Sequence, residues 1–245
     1  MTPASRGSTP HAKSVALSAL EISALELSLQ VALVGLLLSL PFGLAAAWVL
    51  ARCRFPGKSL FDGVIHLPLV LPPVVVGYAL LVLFGRRGAI GAWLHDALGV
   101  TLAFNWKGAA LASAVMAFPL MVRAMRLSLE AVDRRLEAAA RTLGAGRVRV
   151  FLTVTMPLMA PGIITGAILA FARSIGEFGA TITFVSNIPG ITQTLPLALF
   201  SFTQQPDGDA AALRLTIIAV AVSLAALLAS ELLARRVARQ IGGTA

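Results

Sequence analysis

The sequence predicts an all-α, polytopic membrane bundle of about five transmembrane helices, with its N-terminus outside and its C-terminus inside. Three observations carry this. Hydrophobic residues make up 58% of the 245 residues and charged residues only 13%, and the mean hydropathy of +0.86 lies far from a soluble balance. Long apolar runs recur between short polar loops. The basic residues sit unevenly in those loops: thirteen Lys and Arg fall in alternate loops assigned to the cytosol and six in the others, as the positive-inside rule demands. The whole chain, 1–245, reads as one membrane domain.

Residues 1–20, polar and carrying Pro3 and Pro10, predict a short flexible tail rather than a signal peptide, since the apolar run that follows is too long for a signal core. From Leu27 to Ala51 there is no charge, which gives roughly 37 Å of helix against a ~30 Å hydrocarbon core. Span two covers about Val64 to Phe84, with Pro68, Pro72 and Pro73 expected to be tolerated by packed neighbours. The loop from 85 to 107 carries Trp93 and Trp106, suited to a membrane–water interface. Span three has only 15 uncharged residues between Lys107 and Arg123, so it either extends past Arg123 or sits within protein. Span four starts near Pro157, and span five runs from Leu215 to about Ala234. The charge-free stretch 178–206 contains Asn187, Pro189, Gly190, Gln193 and Pro196; it is expected to be an outer re-entrant or interfacial segment, not a sixth span.

Composition also excludes functions. With the basic loops assigned to the membrane boundary, no basic face is left for nucleic acid. The single Cys53 rules out an intrachain disulfide framework or a thiolate cluster, and His11, His66 and His95 have no ligand spacing. No paired acids suggest hydrolysis. Gly57-Lys58-Ser59 imitates the end of a phosphate-binding loop, but Arg52 stands where its first glycine belongs and no strand precedes it. No catalytic residue, metal site or cofactor is therefore expected in the chain itself.

The segment 133–157 stands apart, being too polar to span and too regular for a linker. Leu136, Ala139, Ala140 and Leu143 recur at helical spacing, and Gly144 and Gly146 break the pattern. A second short helical pattern then reaches Pro157. This helix–glycine–helix elbow resembles the EAA motif of bacterial ABC-importer permeases. Gly144 takes the motif glycine and Pro157 the final proline thirteen residues on, with Val154 and Met156 at the Ile and Leu positions. In one respect it departs: the glutamate position falls on Ala138, while the acid is Glu137. The resemblance implies that Glu137, Ala138, Ala139, Ala140, Arg141, Leu143, Gly144, Ala145, Gly146 and Pro157 form a cytoplasmic coupling helix. Such a helix seats in a groove of a separate ABC ATPase dimer, which binds ATP and Mg.

The stretches His66–Tyr78 and Phe171–Gly190 look like the molybdate branch of these permeases, and sulfate permeases are similar at the first. The resemblance thus implies import of molybdate, with tungstate inseparable from it, and a periplasmic molybdate-binding protein as a further partner. A sulfate- or thiosulfate-type permease and a non-transporting membrane scaffold are the alternatives.

Two further sets of residues stand out. Arg173 and Glu177, four apart in a predicted span, share a helix face. They read either as a self-neutralising pair or as charges lining an anion path, with Thr181, Thr183, Ser186 and Asn187 offering hydroxyl and amide donors after them. Gly162 and Gly166 form a GxxxG, and Ser39 with Gly43 repeats the spacing, suggesting close helix packing where the halves of an assembly meet. Five helices enclose too little for a pathway, so a homodimer in the lipid bilayer is expected.

Overall fold

The computed structural model describes residues 17–242. Residues 1–16 of the expected tail lie outside that range. The end of that tail is ordered: Ser18 and Glu21 form a reciprocal capping box that starts α1 (Ala19–Arg52), a 34-residue helix that takes in Leu27–Ala51. The other elements are α2 (Lys58–Val70), α3 (Pro73–Phe84), α4 (Ala89–Leu98), α5 (Trp106–Ala131), α6 (Arg134–Thr142), α7 (Arg147–Val150), α8 (Met156–Ile175), α9 (Gly179–Val185), α10 (Leu195–Thr203) and α11 (Asp209–Gly242). No strand occurs among the described residues.

Close contacts at small residues fix the helix directions. Gly35 lies against the Ala110 carbonyl and Gly43 against Met121, so α1 and α5 run parallel. Gly162 meets Ser128 and Gly166 meets Met121 and Ala124, while Ser174 reaches the Ser113 carbonyl, so α8 runs antiparallel to α5. These glycines hold helices together within the chain. Helix α5 is the most buried of the long helices and continues beyond Arg123, meeting both conditions that its short apolar run imposed.

At one end of the bundle Arg52, closing α1, bonds to Glu137 of the elbow. At the other, Glu21 near the start of α1 bonds to Arg214 near the start of α11. The chain must therefore cross once between Arg52 at the elbow end and Trp106 at the far end. Helices α2 and α3 make that crossing as a broken span, bent by 115°. The expectation of a proline-tolerant span needs correcting here. Pro68 is accommodated inside α2, but Pro72 and Pro73 drive Leu71 and Pro72 to extended ψ angles of 144° and 134°, because a residue before proline is pushed out of the helical region. With α11 leaving the far end, the path makes five crossings and brings the end of α11 back to the elbow end.

The segment after α8 stays at the far end. Helices α9 and α10 have 7 and 9 residues, too short to span, and pack against α3 and α5 and against α11 and α1 respectively. One boundary moves. The helix of span four begins at Arg147 rather than Pro157, running unbroken to Ile175 through a π-helical turn, Phe151–Thr155. Proline 157 has no N–H and its ring crowds the carbonyl four residues back; the wider turn just before it, with the Met156 N–H on the Phe151 carbonyl, accommodates the misfit.

Candidate functional site: the elbow at one end of the bundle

Helix α5 ends at Ala131, and the Asp133 carboxylate accepts a hydrogen bond of 2.8 Å from the Arg135 N–H, capping α6. The far end of α6 closes in a Schellman motif. Gly144, with φ of +85°, directs its N–H to the Arg141 carbonyl, and the Ala145 N–H reaches the Ala140 carbonyl. Gly144 is required by its backbone, since a Cβ there would meet nothing within 4 Å. Gly146 differs: it has an ordinary φ of −67° at the N-cap of α7.

The two faces of α6 are reversed relative to a helix packed on a core. Arg134, Glu137, Ala138 and Arg141, at helical spacing, face the end of α1. The opposite stripe of Leu136, Ala139 and Leu143 is apolar and exposed, with Leu143 at 89% and Leu136 at 49% of their full accessibility. Val148, on α7, is also exposed.

Glu137 joins three elements. One of its carboxylate oxygens accepts 2.8 Å from an Arg52 guanidinium N–H and 2.9 Å from the Thr155 hydroxyl, tying α6 to α1 and to the π-helical turn. Its one-residue offset from the motif position thus coincides with an inward, structural role. Arg52 and Thr155 are members of the site that sequence reading missed. Arg52 stands 85 residues from its partner and counted only as a loop charge. Pro157 lies one turn past the elbow, exposed.

The residues expected along a translocation path make mostly local contacts. Arg173 and Glu177 do pair, at 2.6 Å, with the Arg173 side chain 29% and the Glu177 side chain 1% accessible. Glu177 also accepts from the Ala180 N–H, so it caps the turn into α9. Thr183 donates to the Gly179 carbonyl, and the Asn187 amide donates to the Ser201 hydroxyl while accepting from Gln193. Thr181 is buried with no hydrogen-bond partner for its hydroxyl, and Ser186 is exposed with a φ of +66°. Glu177 and Thr183 thus satisfy backbone groups at the two ends of the first turn of α9, and Asn187 bonds other side chains.

Residues 39–239 match the family model for the binding-protein-dependent transport system inner membrane component. The chain belongs to this family. It is 64% identical over 215 residues to the molybdenum transport system permease protein ModB of Escherichia coli K12, covering 88% of this chain and 94% of that one. The corresponding ModB of Haemophilus influenzae is 58% identical over 223 residues, with 91% and 97% covered. A probable sulfate transport system permease protein of Nephroselmis olivacea is more distant, at 38% over 216 residues, with 88% and 75% covered. Among solved structures, the MetNI methionine ABC transporter in inward-facing conformations superposes with a TM-score of 0.70 at 14% identity, covering 90% of this chain and 99% of that one. This family member is a multi-pass inner membrane permease with the ABC-importer fold.

Proposed function

We propose that the chain is the membrane permease of an ATP-driven molybdate importer, with tungstate as an equivalent cargo, working as a homodimer over a dimer of a separate ABC ATPase. The observation that carries this is the reversed polarity of α6. An apolar stripe held at the end of a membrane bundle, polar face inward, is a surface made for another protein. In this reading the elbow lies in the cytosol, the N-terminus outside and the C-terminus inside. ATP and Mg reside on the ATPase, and a periplasmic molybdate-binding protein delivers cargo at the far end.

Energetics require such coupling. A dianion entering a cell held at ~100 mV, negative inside, climbs about 4.6 kcal/mol, at ~2.3 kcal/mol per charge. Each tenfold of accumulation costs about 1.4 kcal/mol more. An open pore would leak the anion outward.

The similarity to molybdenum permeases at 64% identity against 38% for a sulfate relative supports molybdate over sulfate. The decisive experiment is uptake of labelled molybdate in cells lacking only this chain, with and without its return on a plasmid and with sulfate as competitor. Restored uptake that excess sulfate leaves intact is expected; competition by sulfate at equal concentration would reassign the cargo. A cysteine replacing Leu143, with Cys53 changed to serine, should react with an impermeant maleimide only after cells are broken.

A further inference from the structure

A groove of about 880 Å³ lies between the second half of α1 and the elbow, on the side of α6 away from its apolar stripe. One wall is apolar: Pro41, Leu44 and Trp48 form a stripe along α1. The mouth is cationic. Arg134, Arg141 and Arg147 line it, and among the described residues no acid pairs with any of them; Arg52, also there, is already tied to Glu137. Four arginines and one glutamate leave the lining with a net charge of +3.

We propose that this groove binds an anionic glycerophospholipid of the cytoplasmic leaflet, its phosphate on the arginines and one acyl chain along α1. The dimensions agree. From Pro41 to Arg52 is roughly 16 Å of helix, about half of a ~30 Å hydrocarbon core and so the depth of a single leaflet. The charge selects the headgroup: a net positive mouth attracts an anionic phosphate and repels the choline of a zwitterionic one. A soluble oxyanion would satisfy the arginines but leave the apolar wall wet. Trp48, an amphipathic ring one turn before Arg52 on α1, suits the boundary between chain and headgroup. The inference rests on the cytosolic placement of the elbow given above, and gives it a second contact. The same helix would hold the ATPase on one face and lipid on the other, so membrane composition would bear on how firmly the elbow sits.

The test is native mass spectrometry of the purified permease–ATPase complex with added phosphatidylglycerol or phosphatidylcholine of identical chains. Phosphatidylglycerol should be retained at least tenfold better. The combined Arg134→Gln, Arg141→Gln and Arg147→Gln variant should lose that retention by on the order of a hundredfold, about fivefold for each arginine (~1 kcal/mol per basic residue beside an anionic surface). If the triple variant fails to assemble, Arg141→Gln alone should show the fivefold loss. Equal retention of both lipids, undiminished retention by the variants, or displacement by free glycerol phosphate at equal concentration would overturn the lipid site. Those results in an intact complex leave the docking reading standing, whereas a wild-type chain that never holds an ATPase would sink that reading instead.

Discussion

The two ends of the bundle are finished differently. At the far end three sets of polar groups are spent on each other, while the buried Thr181 and Thr194 hydroxyls have no partner. Glu21 binds Arg214, Glu177 binds Arg173 and caps α9, and Asn187, Gln193 and Ser201 form a closed hydrogen-bonded set. At the elbow end the surplus is left open. Glu137 reaches inward and Asp62 ties α2 to Arg126 of α5, while Leu143 stands almost fully exposed and several arginines have no acid beside them among the described residues. The exposed apolar stripe of a short charged helix is the feature on which the proposed docking at the elbow end rests. Desolvated polar groups must find partners in any case, but exposed apolar groups on a short charged helix gain nothing until a partner covers them.

The strongest way to break this contrast is to remove the unsatisfied stripe. Leu143→Asp leaves α6 free to fold, since the side chain is almost fully exposed, but puts a charge in the proposed interface. Truncated interface anchors commonly cost ~2–4 kcal/mol, which corresponds to roughly 30- to 1000-fold in affinity for the ATPase. Molybdate uptake should fall with it, and co-purification of the ATPase gives the direct reading. Unchanged binding would show that the stripe is not the contact.

A smaller effect separates the two acids that hold each end together. Glu177→Ala would strip a fully buried carboxylate from Arg173 and the Ala180 N–H, and breaking a buried pair costs ~3–5 kcal/mol. Glu137→Ala acts on a pair that retains some water contact, so hydrogen bonds to charge worth ~1.5–3 kcal/mol are lost there. Thermal melting of the detergent-solubilised chain should rank Glu177→Ala below Glu137→Ala. The activity should divide the other way in kind: Glu137→Ala loosens the elbow from α1 and the π-helical turn, and so weakens ATPase stimulation beyond its effect on melting.

How far the sequence reveals these ends depends on the range of the interactions. The helical bundle is legible because long apolar runs sum over many residues, so no single misreading upsets it. The elbow is legible because helix spacing and a turn glycine are local. Partnerships across the fold are not: nothing near Arg52 or Thr155 marks them as ligands of Glu137. The Pro72–Pro73 pair announces an interruption, yet the size of the bend depends on how α3 packs on α9. Local signals were also passed over. Ser18-x-x-Glu21 is a capping box that starts α1 inside the stretch expected to be tail, and Gly35 extends the Ser39–Gly43 spacing to the point where α1 meets the Ala110 carbonyl of α5. For the path residues, sequence names donors but cannot say which are already engaged.

Gly162 sharpens the comparison inside the bundle, where α8 meets the last turns of α5. A Cβ at Gly162 would run into the Cβ and hydroxyl of Ser128 and stand 3.0 Å from the Ala124 carbonyl, groups fixed on α5. Gly162→Ala should therefore lower stability by ~1–3 kcal/mol through overpacking. Gly43→Ala meets only the flexible end of Met121 and should cost less. Melting midpoints of the two variants give the order, and equal values would mean that α5 yields at Ser128 as readily as Met121 swings away.

The finest distinction lies inside the elbow, between two glycines two residues apart. Gly144 sits at φ of +85° with open space around it, so alanine there is opposed by backbone conformation alone, at about 1–2 kcal/mol. Gly146, also in open space, has a φ of −67° that any residue adopts. Alanine at 146 would restrict the unfolded chain, worth ~0.4–1 kcal/mol, but it is a poorer N-cap than glycine by a similar amount. The two offset, and Gly146→Ala should change stability by less than ~0.5 kcal/mol. ATPase binding is the more sensitive readout, because the Gly144 turn aims Leu143 outward. Gly144→Ala should weaken that binding several-fold and Gly146→Ala should not. If both variants bind alike, the direction in which the stripe points is set by the Glu137 contacts rather than by the turn.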